Sequence, residues 1–299
     1  MNKLIAKLAL IGALIGFSIA DAATIPEAEH TPHAAITARV TGETHDEDYA
    51  EGDVMLMPKV TAPVGDAEVR YNGVFRKTTN SEGETSDWAT FVNKLTLSGD
   101  TWDFVLGRDS WRQFGGTTTT VGFDNFMSGK GLSRSFTGYD VTYKPWGLRL
   151  GVVASNGEID WEDLDTGVIS WSQEFADCVG VQIHMAATED HLVEKAGLAI
   201  EWRPTDSLRI LSDTVYGQAT GTSSLLACNV QLTPAMKLFA GAEVNAPCDD
   251  SATGRAVLGA EGDLGHGFKV IGGLQQGILN ESETTAILGF IYKGDYTLF

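Results

Sequence analysis

Apolar and polar residues alternate along much of this sequence, and no other feature limits the possible fold as strongly. In residues 148–155, LRLGVVAS, and in residues 237–245, KLFAGAEVN, every second position is apolar. Successive side chains of a β-strand point to opposite faces, so such stretches predict strands with one apolar and one polar face. They run for roughly 9–11 residues, the length that a tilted strand needs to cross a bilayer, whereas strands of soluble sandwiches have about 5–6 residues.

The pattern predicts sixteen strands joined by two kinds of connection. One kind is short and turn-like, as at residues 99–100 and 176–177, and the other is mostly longer and acidic or polar, as at residues 43–52 and 157–166. Long loops alternating with short turns, together with an even strand count, are typical of single-chain outer-membrane barrels. We therefore expect an all-β fold, a 16-stranded antiparallel transmembrane β-barrel. The predicted strands are residues 34–42, 53–61, 67–77, 87–98, 101–108, 135–144, 148–156, 167–175, 178–187, 195–203, 208–218, 223–232, 237–245, 255–264, 268–278 and 285–299.

Two other architectures remain open at this point. A barrel of 14 strands results if residues 34–42 or 167–175 do not form a full strand, and the alternation in residues 167–175 is short. A soluble exported β-sandwich would also alternate. Sixteen strands of this length would then need two domains, and no Pro- or Ser-rich linker separates any of the predicted strands.

The N-terminus predicts export. Lys3 and Lys7 precede an apolar run over residues 8–19, and the next three residues, 20–22, fit a small-residue cleavage site. This order of segments is typical of a secretory signal peptide. The apolar run is shorter than the roughly 20 residues that a membrane-spanning helix needs. We expect a signal peptide over residues 1–22 and a mature barrel over residues 23–299.

Charge and cysteine content exclude several functional classes. The formal net charge is −19, from 40 acidic and 21 basic residues, so the chain lacks the basic surface that nucleic-acid binding requires. Cys178, Cys228 and Cys248 are an odd number of cysteines without a CxxC pair, which supports neither a disulfide scaffold nor a zinc site. We expect no metal ion and no cofactor.

A barrel enzyme of the phospholipase or protease type is one alternative function, and a structural or adhesive barrel is another. The sequence contains no HExxH or GxSxG motif. His45 precedes Asp46 and His191 follows Asp190 in predicted loops, so a catalytic pair remains open. A loop histidine beside an acid is usually only solvated, and we predict no catalytic residues and no enzymatic activity.

The region of residues 104–154 has the most characteristic local sequence. It contains a strand that ends in Gly-Arg, FVLGRDSW, a long loop, QFGGTTTTVGFDNFMSGKGLSR, and a hairpin, SFTGYDVTYKPWGLRLGVVAS. With the terminal aromatic residue, Phe299, this segment resembles the general porin family of Gram-negative bacteria. Phe299 departs from the family pattern, because its parity differs from that of the apolar residues before it. The resemblance implies an outer-membrane homotrimer with an inward-folded third loop, through which small hydrophilic solutes and ions diffuse passively.

The resemblance also implies a constriction between the third loop and the barrel wall. The third loop, residues 109–134, is the longest predicted connection, and Asp124 lies between Phe123 and Phe126, which are candidates to anchor it. The charged residues of this loop are Asp109, Arg112, Asp124, Lys130 and Arg134. By inward parity, the facing wall bases are Arg39, Lys59, Arg70, Arg76, Lys94 and Arg149. Opposed charges across a constriction produce a field that filters dipolar solutes.

Strand number and loop charge together predict the behaviour of the pore. Barrels of about 16–18 strands leave a water-filled channel, whereas small barrels are filled by their own side chains. Acidic residues are concentrated in the predicted outer loops, at residues 43–51 and 158–165, and would raise the cation concentration at the mouth. We expect a passive channel with weak cation preference at low salt.

Overall fold

The computed structural model describes residues 32–45, 50–80, 84–110, 135–154, 164–219 and 221–297. Sixteen strands lie within these residues, one for each predicted strand, with ends that differ from the predicted ends by a few residues. No helix among the described residues is long and apolar enough to cross a membrane. A 3-10 turn occupies Lys144–Trp146. The strands are β1 His33–His45, β2 Ala50–Val64, β3 Ala67–Thr79, β4 Ala89–Ser98, β5 Trp102–Ser110, β6 Ser135–Tyr143, β7 Leu148–Ala154, β8 Leu164–Phe175, β9 Val179–Ala187, β10 Lys195–Thr205, β11 Leu208–Gly217, β12 Gly221–Thr233, β13 Met236–Ala246, β14 Thr253–Gly265, β15 Phe268–Leu279 and β16 Thr284–Thr297.

The strands form one closed antiparallel sheet. Each strand pairs with its neighbours in sequence, and β1 pairs with β16 from His33 opposite Thr297 to His45 opposite Thr285. The two strands whose sequence pattern was weakest, β1 and β8, contain 13 and 12 residues. β8 pairs with both β7 and β9. The prediction of sixteen strands is therefore confirmed, the 14-stranded alternative is wrong, and a single closed sheet also excludes the two-domain sandwich.

Tight turns join the strands in pairs at one end of the barrel, which we call the short-turn end. These turns are at residues 65–66, 99–101, 144–147, 176–178, 206–207, 234–235 and 266–267. The turn before β7 depends on Gly147, which has a φ of +59° and at which a Cβ would overlap the carbonyl oxygen of Ser172. The Ser172 N–H donates to the Gly147 carbonyl at 2.9 Å, so this turn packs directly against β8. The opposite end, with the other connections, is the long-loop end.

The outward face of the barrel is apolar and exposed. Residues opposite each other on neighbouring strands share a face, so the register assigns each residue to the outside or the inside. Leu150 on β7, Leu226 on β12 and Leu258 on β14 face outward and are 50%, 59% and 65% exposed. Such a continuous exposed apolar surface is unfavourable in water and suits contact with lipid.

Aromatic side chains gather on this outward face close to the short-turn end. The ring centroid of Trp102 lies 4.5 Å from that of Tyr143, which lies 5.2 Å from that of Trp146. On the other side of the barrel, Phe268 and Tyr292 are 4.8 Å apart beside the turn at residues 266–267. Aromatic girdles of this kind lie at membrane–water interfaces. Their position is that expected if the short-turn end lies at one membrane surface.

The three cysteines are free and lie in different parts of the barrel. Cys178 is in the turn between β8 and β9, Cys228 is on the outward face of β12, and Cys248 is in the loop between β13 and β14.

Candidate functional site

The barrel interior is the candidate site, because charged side chains are directed there by the register. Five of the predicted wall bases lie on β1–β4, and four of these, all except Arg70, fall into two rows. Arg39 on β1 is opposite Met55 on β2, which is opposite Arg76 on β3. Nearer the short-turn end, Lys59 on β2 and Lys94 on β4 are both aligned with the same β3 residue. These four bases therefore belong to two rows on one side of the inner wall, which we call the basic stripe.

The other two predicted wall bases, Arg70 and Arg149, lie closer to the short-turn end, beside the carboxylates of Glu68 and Asp140. Arg70 lies 2.5 Å from Glu68 and donates to the Ser98 hydroxyl at 2.8 Å. Arg149 donates to Asp140 through Nε at 2.8 Å and through Nη2 at 2.5 Å. The Arg70–Ser98 hydrogen bond joins β3 to β4, and the Arg149–Asp140 pair joins β7 to β6. Arg70 and Arg149 therefore tie neighbouring strands together, and the structure does not bring them into the basic stripe.

Most of the predicted constriction loop lies outside the described residues. This applies to Arg112, Asp124, Lys130 and Arg134. Asp109 is in β5, where its backbone pairs with Phe136 of β6 at the long-loop end. The predicted loop therefore connects two adjacent strands, β5 and β6.

The interior is not uniformly polar. A cluster of buried apolar side chains lies at mid-height on the inner face of β11–β16, and we call it the apolar belt. Phe239 on β13 is 1% exposed and Ile271 on β15 is 0% exposed. The belt lies on the opposite side of the barrel from much of the basic stripe, since β12 and β4 are eight strands apart in a ring of sixteen. Its members are Leu211, Leu225, Ala227, Phe239, Val257, Ile271 and Ile287.

Ion pairs cross the inner wall between the apolar belt and the short-turn end. Glu201 on β10 lies 2.9 Å from Arg209 on β11, and Glu261 on β14 lies 2.7 Å from Lys269 on β15. Both carboxylates are nearly inaccessible, with side chains 3% and 7% exposed. Carboxylates as buried as these need such partners, because burying a charge without one is costly.

Two further buried acids lie on the side of the belt towards the long loops. Asp213 on β11 and Glu243 on β13 are both opposite Leu225 of β12, so they share one inward row. Glu243 accepts a hydrogen bond from the Ser223 hydroxyl at 3.4 Å. These acids, like Glu201 and Glu261, were not among the predicted site residues. Their inward parity within correctly predicted strands was the signal that identifies them.

The described residues provide little for catalysis or metal binding. No group of three or more potential metal ligands occurs among them. Ser170 and His184 are opposite each other on β8 and β9 and face inward, but the Ser170 hydroxyl and the His184 Nδ1 are both buried without a hydrogen-bond partner. They therefore do not form the hydrogen bond that a serine nucleophile needs from its base. His191 is exposed in the loop between β9 and β10, and Asp46, the neighbour of His45, lies outside the described residues.

The fold matches solved porin structures. One structure of a Rhodopseudomonas blastica porin mutant matches with a TM-score of 0.60 at 13% sequence identity, covering 88% of this chain and 100% of the porin chain. A triple mutant of the same porin also matches with a TM-score of 0.60, at 14% identity and the same coverage. No protein-family profile matches the sequence, and no curated protein matches it. At this identity, the likeness shows that the chain has the 16-stranded porin architecture.

Proposed function

We propose that this protein is an outer-membrane channel through which small hydrophilic solutes and ions diffuse passively. The observation that carries the proposal is a closed barrel of sixteen strands with an apolar outer face and charged rows on its inner face. A barrel of this strand number encloses a space wide enough for water and solutes. An inner wall with lysines, arginines and carboxylates suits an aqueous lumen, because these groups would be costly against lipid.

We infer that the third loop narrows the lumen. Asp124 in this loop and Asp109 near the end of β5 would face the basic stripe and create a transverse field there. The apolar belt supports this arrangement, since it offers Phe123 and Phe126 an apolar surface inside the barrel. Arg112, Lys130 and Arg134 would then contribute positive charge at the edges of the same constriction.

A weak cation preference follows from the distribution of acids at the long-loop end. Glu189, Asp190, Asp249, Asp250 and Glu283 are all exposed in connections at this end. Negative charge at a channel mouth raises the local concentration of cations, and salt screens this effect over about 10 Å at 0.1 M. The basic stripe opposes it within the lumen, so the preference should be weak.

The location and assembly belong to the same proposal. An N-terminal signal peptide over residues 1–22 would export the chain, and the girdle near the short-turn end would lie at the periplasmic surface of the outer membrane. The similarity to porin structures favours a homotrimer, and closed cyclic symmetry is the usual arrangement for such oligomers.

Conductance in planar lipid bilayers tests the proposal directly. The purified mature protein should insert and produce stepwise increases of current in KCl, each step corresponding to an open pore. Absence of conductance from protein whose folding is verified by heat-modifiable migration in gels would contradict the channel function. A structural barrel or a barrel enzyme would then become the better interpretation.

A further inference from the structure

Lys237 occupies an unusual position on the inner wall. It is the second residue of β13, close to the short-turn end, and the register places it between Gln231 on β12 and Glu261 on β14. Its side chain is half-buried. Among the residues that the structure describes, it makes no hydrogen bond and no ion pair.

The two neighbours of Lys237 are already engaged. The Gln231 amide nitrogen donates to the carbonyl oxygens of Thr233 and Met236, which flank the turn at residues 234–235. The Glu261 carboxylate is held by Lys269 at 2.7 Å. Neither neighbour accepts a hydrogen bond from Lys237, and a half-buried ammonium group is costly unless water or a ligand supplies acceptors.

Lys237 also has other cations close to it. Arg209 on β11 and Lys269 on β15 face the lumen on either side and repel the Lys237 ammonium group, whereas Glu261 attracts it. Alternate strands of a sheet lie roughly 10 Å apart, so the three cations span a short arc of the inner wall. Arg209 and Lys269 have carboxylate partners, Glu201 and Glu261, and Asp263 on β14 is aligned with Lys269 as well. Lys237 is the cation of this group that has no ion-pair partner among the described residues.

We propose that Lys237, with Arg209 and Lys269 on either side of it, is a binding subsite for the phosphate groups of solutes at the short-turn mouth of the lumen. The Lys237 ammonium supplies the donors that no protein group occupies, and the flanking cations attract a polyvalent anion. Lysine binds phosphate as a point charge, without the fixed geometry that arginine imposes. The subsite lies at the opposite end of the barrel from the acidic loops. Its role in permeation rests on the proposed channel function.

Calorimetric titration of the purified full chain in detergent tests binding without requiring conductance. Inorganic pyrophosphate at low ionic strength is the probe. Wild type should bind pyrophosphate, and Lys237→Arg should retain this binding. Lys237→Gln should weaken the affinity about tenfold, because the loss of one charge-assisted hydrogen bond changes an affinity by about that factor. Lys195→Gln is the matched control, because Lys195 lies on the inner wall of β10 at the long-loop end.

Three results would overturn the subsite: no binding by wild type, unchanged binding by Lys237→Gln, or equal weakening by Lys195→Gln. Heat-modifiable migration establishes that each variant is folded before titration. Pyrophosphate added to one side of a planar bilayer then separates this inference from the channel proposal. Binding without conductance refutes only the channel, whereas conductance without binding refutes only the subsite.

Discussion

Arg149 and Asp140 form a two-point ion pair across β6 and β7, with Nε–Oδ1 and Nη2–Oδ2 distances of 2.8 Å and 2.5 Å. Both side chains are 6% exposed. Parallel hydrogen bonds between a guanidinium and a carboxylate fix the orientation of both groups. The pair therefore joins the two shortest neighbouring strands of the barrel, of 9 and 7 residues, just above their turn.

Removing one member of this pair should destabilise the barrel strongly. Asp140→Ala leaves a buried guanidinium without its carboxylate, and the free energy of unfolding should fall by about 3–5 kcal/mol. The double variant Asp140→Val with Arg149→Leu should recover most of this loss, because it removes both charges. Urea unfolding in detergent micelles, followed by tryptophan fluorescence, measures the difference. A double variant as unstable as Asp140→Ala would show that the unpaired guanidinium charge is not the cause of the lost stability.

Substitution by alanine should have very different effects on folding at two glycines that share the same φ angle. Gly147 and Gly65 both have a φ of +59°, but an added Cβ overlaps the Ser172 carbonyl at Gly147 and has nothing within 4 Å at Gly65. Gly65→Ala should cost only the left-handed backbone penalty, about 1–2 kcal/mol. Gly147→Ala should reduce the yield of folded barrel severely, because β8 must also move. Folded yield on gels run without heating checks both variants, and equal yields would contradict the close approach of turn and strand.

Arginine should be tolerated on the inner face of a strand and not on its outer face. Leu274 on β15 faces outward and is 59% exposed, while the next residue, Gln275, faces inward opposite Val257. Leu274→Arg should cost about 2–4 kcal/mol near the membrane midplane. Gln275→Arg serves as the control on the same strand. The heat-modifiable fraction in isolated membranes should fall for Leu274→Arg only, and equal assembly would contradict the assigned faces.

Ion selectivity should depend on the third loop. In a KCl gradient at low salt, wild type should show a reversal potential of weak cation preference that fades as salt rises. Asp109→Ala with Asp124→Ala should shift the preference towards anions and leave folding nearly intact, because Asp109 pairs with β6 through its backbone, which alanine retains. The control, Asp190→Ala with Asp250→Ala, removes two exposed charges at the long-loop end and should change the reversal potential only at low salt. A strongly anion-selective wild type would contradict the proposed constriction. So would an Asp109→Ala with Asp124→Ala variant whose selectivity equals that of wild type.

The sequence predicted the strands more reliably than it predicted which charges meet. Residues 167–175 showed only a short alternation, yet β8 runs over Leu164–Phe175 because β7 and β9 supply hydrogen bonds along both of its edges. The six wall bases were chosen by parity alone. Parity is a local property, so it could not show that Arg70 and Arg149 lie closer to the short-turn end, with Glu68 and Asp140 as their partners.

The amino-acid sequence by itself determined the number of strands, their two faces and the alternation of turns and loops. These follow from a side-chain period of two and from local turn chemistry, which each segment carries without reference to the others. Only the tertiary structure decided that the interior contains an apolar belt, that Arg149 meets Asp140, and that Lys237 has cations on both sides. Such relationships depend on the register between strands and on the closure of β1 against β16, which bring together residues that are far apart in the chain.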